Sequence, residues 1–348
     1  MNDTLSKPRR IPYLDVLKFF AMYLVIWGHA TQYGLANSIE NGTFHPFAFI
    51  NNAFHMPLFM TISGIFAASS LKYSFWQLIK NKFLQLLLPA FVWSGVEATI
   101  LFFRGKSWWQ LYGWVGVIWD YWFVKCLFLC YILYWVSIKL FNREIIACIF
   151  SLVVVLTIDQ CGIVWLNVML PFFWLGHFMR KAFTTKDIKT IWTIILGIAF
   201  IILLIFWSGN YTIYVNGGNF ISINKLLFYP EKLFIYSYRF LTGGVGACFI
   251  ILLFKQLIPL IQDKPWVHFI EKYGRETFAI YMIHVLALVT LANFYAFPED
   301  TDVYLFDFVY AHFYNIIALG VSIFIIWVFS KWKWSRVLFL GKAERNLI

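Results

Sequence analysis

Charge is scarce in this chain. Asp, Glu, Lys and Arg make up 13% of its 348 residues, about half the ~25% carried by a typical soluble domain. Too little polar surface remains to hold a chain of this size in water, which excludes an ordinary soluble globule. Acidic residues are the scarcer sign, 17 against 28 basic, for a formal net charge of +11. The five cysteines (Cys126, Cys130, Cys148, Cys161 and Cys248) are odd in number and lie in or beside apolar stretches. A disulfide framework and a cysteine-based metal site are therefore not expected. The sequence has no phosphate-binding glycine loop, no zinc-protease helix pair, no nucleophile elbow and no nucleic-acid module. It has no low-complexity tract and no internal repeat, which weighs against an inverted-repeat transporter. The longest polar stretches, such as Ser208 to Ser222, are loop-sized, so residues 1–348 read as one domain.

Apolar residues are what the chain has in excess. They make up 61% of it, with 39 Phe, 19 Tyr and 17 Trp, as expected where rings face lipid and form interfacial belts. The basic start Lys7-Pro8-Arg9-Arg10 precedes an apolar run containing Asp15 and Lys18 and lacking a small-residue cleavage site, so the run reads as a first mature helix. Spans are expected at about 11–33, 46–70, 83–103, 121–138, 144–160, 162–179, 189–208, 233–254, 276–296 and 311–330, each near the ~20 residues a crossing requires. Alternating the segments between these spans puts 21 Lys and Arg on one side and five on the other, with Lys18 and Lys125 inside spans. The positive-inside rule then predicts an all-α polytopic bundle of about ten helices with both termini cytoplasmic. The positive charge is accounted for by topology, and no nucleic-acid partner is expected.

Ionisable side chains within spans are costly, and those that persist usually face a cavity. On the first helix Asp15, Lys18 and His29 fall on one stripe: at ~100° per residue, His29 is about 20° from Lys18 and roughly 40° from Asp15. Asp15 and Lys18 are also an i, i+3 pair able to neutralise each other. The bland reading is an interfacial ion pair and a hydrogen-bonded core histidine. The second span runs through Asn51-Asn52-Ala53-Phe54-His55-Met56-Pro57 to Ser63-Gly64. It places His55 at a depth similar to His29, while Pro57 and Gly64 read as packing residues. Glu97, Lys125 and Arg239 fall in outer halves of spans, with Asp120 and Asp159 at the outer edge. Lys80 and Lys82 open the third span, and His177 and His284 lie in cytoplasmic halves. Two sets result: a basic cytoplasmic set suited to phosphates, and an outer set suited to a polyhydroxylated acceptor. No metal is expected.

These residues resemble the integral membrane O-acyltransferases of the acyltransferase 3 family, in its fucose 4-O-acetylase-like branch. Arg10-x4-Asp15-x2-Lys18-x10-His29 is similar to the family's first-helix signature. Phe54-His55-Met56-Pro57-Leu58-Phe59 with Ile62-Ser63-Gly64 is similar to its second-helix pattern. Tyr121-Trp122-Phe123-Val124, Pro171-Phe172-Phe173 with Leu175-Gly176, and Tyr273-Gly274-x2-Thr277-x3-Tyr281-x2-His284 resemble later motifs in order. Lys18 departs from the commoner arginine and loses its planar fork. Thr277 replaces serine, and Lys80 and Lys82 stand where arginines are usual.

The resemblance implies acetyl transfer from cytoplasmic acetyl-CoA to a hydroxyl of a cell-surface glycan or its lipid-linked precursor, in the bacterial cytoplasmic (inner) membrane. No secreted hydrolase-like domain follows the spans, so the transmembrane unit is expected to act alone, among membrane lipids. Lys18, Lys80, Lys82 and His284 would serve the CoA donor, and Asn52, Glu97, Trp122, Lys125 and Arg239 the acceptor. His29, His55 and Asp15 form the catalytic set. His29 would either deprotonate the acceptor or carry the acyl group, since imidazole is the side chain suited to base catalysis near neutral pH. A transporter or flippase using the same in-membrane His, Lys and Glu residues for passage without chemistry is the alternative.

Overall fold

Proline decides where several helices begin. Pro12, Pro46, Pro230 and Pro265 each open a helix in its first turn, where the missing N–H forfeits no bond. The structure, a computed structural model, describes residues 11–38, 44–103, 121–158, 165–185, 187–214, 221–222 and 227–342. Asp120, Asp159 and Cys161 lie outside the described residues, as do Lys7 and Arg10. In chain order the helices are α1 (Pro12–Tyr33), α2 (Pro46–Asn51), α3 (His55–Ile65), α4 (Phe75–Lys82), α5 (Leu88–Phe103), α6 (Trp122–Phe141) and α7 (Glu144–Thr157). There follow α8 (Leu166–Thr184), α9 (Thr190–Ile205), α10 (Pro230–Ile261), α11 (Pro265–Gly274), α12 (Thr277–Phe294), α13 (Ala311–Phe329) and α14 (Lys333–Leu340). The only described strands pair two residues each, Ile221–Ser222 with Leu227–Phe228. The protein is an all-α bundle.

Five described helical stretches are long and apolar enough to cross a membrane: Phe75–Ile100, Trp122–Phe141, Pro230–Ile261, Thr277–Phe294 and Val303–Phe329. α7 and α9 are shorter apolar helices. The helices divide by what they face. Only three of the 16 residues of α9 are buried, and Ile194, Ile198, Ile201 and Ile205 point outward, as a lipid-facing helix requires. Nine of the 11 residues of α3 are buried. α1 supplies residues to both apolar clusters of the core, Met22, Val25 and Ile26 to one and Leu14, Leu17 and Leu24 to the other. A central helix meets protein on all sides, so it tolerates polar residues that a lipid-facing helix would not.

Two expected spans differ in form. The second is broken into α2, a turn at Asn52–Phe54, α3 and a 3₁₀ segment Ala67–Lys72. Pro57 is the cause: as the third residue of α3 it sits where an N–H has no intrahelical partner, so the break precedes it and no carbonyl is left over within the helix. The third span begins earlier than expected, because α4 runs through a π-helical turn at Phe83–Leu87 into α5. That turn ends two residues before Pro89, whose ring a regular α-helical ladder would not accommodate.

Close contacts fix the two poles of the bundle. At the lysine-rich pole Gly274 packs on the backbone of Asp15, and Gly341, held at φ +64°, packs on the backbone of Gln85. Lys342 pairs there with Glu276. At the opposite pole the His45 ring bridges Ser38 Oγ (2.6 Å) and Asp307 Oδ1 (2.7 Å). The other Asp307 oxygen accepts the Phe47 N–H (3.1 Å), which satisfies an orphan donor at the start of α2.

Candidate active site

Two cavities lie end to end along α1. The inner cavity, of ≈350 Å³, is walled by apolar side chains such as Val25, Met56 and Phe59, and carries Lys18, Lys82 and Arg275. Lys18 is held by Asp15, its Nζ 2.9 Å from Oδ1, and lies 5.1 Å from the centre of the Phe66 ring. The Lys82 ammonium sits 3.6 Å over the Tyr131 ring and donates to Gln85 Oε1 at 3.3 Å. A cation on an aromatic face keeps its charge available to an anion while its stem stays packed.

The outer cavity, of ≈370 Å³, holds His29, Gln32, Glu97, Trp122, Trp165 and His284 among its walls. The rings of His29 and His284 are 5.3 Å apart. His29 Nδ1 faces Gln32 Oε1 at 3.2 Å, and His284 Nδ1 lies 2.8 Å from the Tyr281 carbonyl. Trp122 and Trp165 meet edge to face at 4.6 Å, offering ring faces and edges to a bound molecule. Tyr281 lines both cavities, the one residue their linings share.

The structure groups the residues singled out in the sequence differently from the expectation in five places. His284, assigned to the donor set, stands beside His29 in the outer cavity. The Gly274–Asp15 contact starts α12 level with the second turn of α1, which carries His284 to the middle of the bundle. Lys80 is exposed and lines neither cavity; two positions before Lys82 on one helix, it points about 200° away. Asn52, His55 and Arg239 gather around a separate recess of ≈10 Å³. There His55 Nδ1 donates to the Asn51 carbonyl at 2.7 Å, and Arg239 donates to the carbonyls of Tyr211 (2.6 Å) and Thr212 (3.0 Å). Asp15 shares the stripe of His29, but fourteen positions apart the two are ~20 Å from each other along the helix. Asp15 therefore acts on Lys18. Lys125 is partly buried and lines neither cavity, whereas Glu97 and Trp122 do line the outer one.

Arg275, Tyr281, Gln32, Trp165 and Tyr214 were missed as site residues. Tyr281 carried a signal, one helical turn before His284 on the same face. Trp165 and Tyr214 stand outside helix interiors, where no periodicity marks them. Among the described residues no group of three or more His, Cys, Asp or Glu could hold a metal ion.

The bundle thus places a cationic cavity toward one pole and an imidazole-bearing cavity beyond it, with Tyr281 in both linings. The chain belongs to the acyltransferase 3 family: residues 11–334 match its profile, described as an acyltransferase domain. It is an integral membrane acyltransferase. The chain is similar to two proteins named nodulation protein NolL. That from Mesorhizobium japonicum is 26% identical over 302 residues, 80% of this chain and 78% of the relative. That from Sinorhizobium fredii is 29% identical over 183 residues, and the match spans 48% of each chain. No solved structure matches.

Proposed function

We propose that the protein moves an acetyl group from cytoplasmic acetyl-CoA, bound in the inner cavity, to a hydroxyl of a cell-surface glycan or its lipid-linked precursor in the outer cavity. The observation that carries this reading is the Tyr281 wall shared by a cationic chamber and one bearing two histidines. A thioester entering from the inner pole and a hydroxyl entering from the outer pole would meet there without either molecule crossing the membrane. The CoA phosphates would be held by Lys18, Lys82 and Arg275, and the apolar walls suit the pantetheine arm. Trp122 and Trp165 would stack on sugar faces, and Glu97 would accept sugar hydroxyls. In the transfer itself the His29 ring takes the proton of the acceptor hydroxyl as the new ester C–O bond forms. Purified protein given radiolabelled acetyl-CoA and a surface-glycan extract should make alkali-labile acetyl ester on the glycan. Uptake of glycan into vesicles with no ester formed would overturn the reading.

The donor end makes its own prediction. One charge-assisted contact is worth ~1.5–3 kcal/mol, and ~1.4 kcal/mol is tenfold in affinity. Lys18→Ala and Lys82→Ala should therefore each weaken acetyl-CoA binding by about tenfold or more, measured by calorimetry in detergent. Added salt should weaken the wild type by screening. Lys80→Ala should bind as the wild type does, and unchanged affinity in both Lys18→Ala and Lys82→Ala would remove the donor from this cavity.

The orientation follows from charge. We place the lysine-rich pole, and with it both termini, in the cytoplasm of a bacterium, the membrane being the inner one. A phosphatase reporter fused after Ile348 should be inactive, and a fluorescent reporter that folds only in the cytoplasm should glow. The reverse pair of results would invert the bundle.

A further inference from the structure

His284 is buried to 1% exposure, yet among the described residues its Nε2 has no hydrogen-bond partner. Leaving such an atom unpaired in the interior costs free energy, so a group retained there calls for an explanation. Its other nitrogen supplies the chemistry. Nδ1 lies 2.8 Å from the Tyr281 carbonyl, and a carbonyl only accepts. Nδ1 must therefore carry the proton, and in the neutral ring Nε2 is left with a lone pair. The His29 ring is less committed, because Gln32 is an amide that can turn either its oxygen or its nitrogen toward it. His284 is thus the imidazole held in one tautomer, with an unpaired Nε2 lone pair on a side chain that lines the outer cavity. It lies three residues beyond Tyr281 on one helix face, the two rings 5.4 Å apart. Tyr281, that near neighbour, is the residue that also lines the inner cavity.

Building on the acetyl-transfer reading, we propose that His284 is a catalytic residue that takes the acetyl group from CoA on Nε2 and hands it to the acceptor. In the first step the Nε2 lone pair attacks the thioester carbonyl. The N–C bond forms, the C–S bond breaks, and sulfur leaves with the bonding pair as thiolate, later protonated by water at the inner mouth. The ring keeps its Nδ1–H on the Tyr281 carbonyl and is an acetylimidazolium with one positive charge. In the second step the acceptor oxygen attacks the same carbonyl carbon. The O–C bond forms, the N–C bond breaks with its pair returning to Nε2, and the hydroxyl proton passes to the His29 ring, which releases it to water in the outer cavity. The two histidines divide the labour, one as carrier and one as base, which accounts for both being in one chamber.

Exchange of labelled CoA into acetyl-CoA, with no acceptor present, reads the first step alone. The wild type should exchange at a rate at least equal to its turnover with acceptor. His29→Ala should exchange while making almost no ester. His284→Asn keeps an N–H at the Nδ1 position for the Tyr281 carbonyl and removes the nucleophile. It should fold and bind acetyl-CoA, yet lose exchange and transfer together by at least ~100-fold. His284→Ala, checked for folding by its melting temperature, should do the same. A wild type that makes ester but shows no exchange transfers directly and refutes the carrier while leaving the acetyl-transfer reading intact. Exchange that survives in His284→Asn, or that vanishes in His29→Ala instead, also refutes it. A wild type with neither exchange nor ester would sink the acetyl-transfer reading itself.

Discussion

His29→Ala is expected to leave a folded, membrane-inserted protein that binds acetyl-CoA normally and makes ester at no more than a few per cent of the wild-type rate. Removing a general base typically lowers the rate ~10²–10⁴-fold. The side chain is partly buried and its ring is hydrogen-bonded to Gln32, so its loss should disturb the fold little. The measurement is turnover per folded molecule, with folding monitored by size-exclusion profile. His55→Ala is the informative comparison. His55 donates to the Asn51 carbonyl at the end of α2 and lines a different recess, so its loss should lower stability more than the rate of the molecules that remain folded. Near-normal turnover in His29→Ala alongside an inactive but folded His55→Ala would reassign the base.

Gly64→Val and Gly176→Val should each all but eliminate folded protein. α3 and α8 cross with their backbones in direct contact: a Cβ at Gly64 would overlap the Phe173 carbonyl, and one at Gly176 would overlap the Thr61 carbonyl. Small residues permit such approach between membrane helices. Ordinary overpacking of a core costs ~1–3 kcal/mol because side chains give way. Here the obstacle is main chain on both sides, and the larger cost exceeds what a marginally stable bundle withstands. Thermal melts in detergent should show little folded material at any temperature. Gly320→Ala is the control: nothing lies within 4 Å of a Cβ there, and the melting temperature should not move. A stable Gly176→Val would mean that the α3–α8 crossing is looser than described.

Much of this was legible in the chain. The shortage of charge and excess of apolar residues specify a membrane bundle, because hydrocarbon admits few ionised groups and requires helices to satisfy their own backbones. The stripe of Asp15, Lys18 and His29 was legible because one helix imposes its own geometry on residues it carries, and the structure keeps Lys18 and His29 on the two cavities. Gly64 was legible as a packing residue, though not that it packs on the backbone beside Gly176.

What sequence could not supply was depth and neighbourhood across helices. Counting residues from the start of a span placed His284 near the cytoplasm and His55 level with His29. The backbone contact between Gly274 and Asp15 resets the first; His55 keeps its depth, the turn before it tied to α1 by Asn51 donating to the Leu24 carbonyl, but lines the recess beside Arg239. Lys80 and Lys82 looked equivalent as neighbours in a basic segment, but α4 begins before them, and a helix sends residues two apart to nearly opposite sides. Composition and periodicity act within one helix, so the chain by itself determined which helices form and which of their faces are polar. The register between helices depends on where main chains touch and where proline interrupts them, and only the packed bundle decided that Tyr281 lines two cavities with His29 and His284 together in one of them.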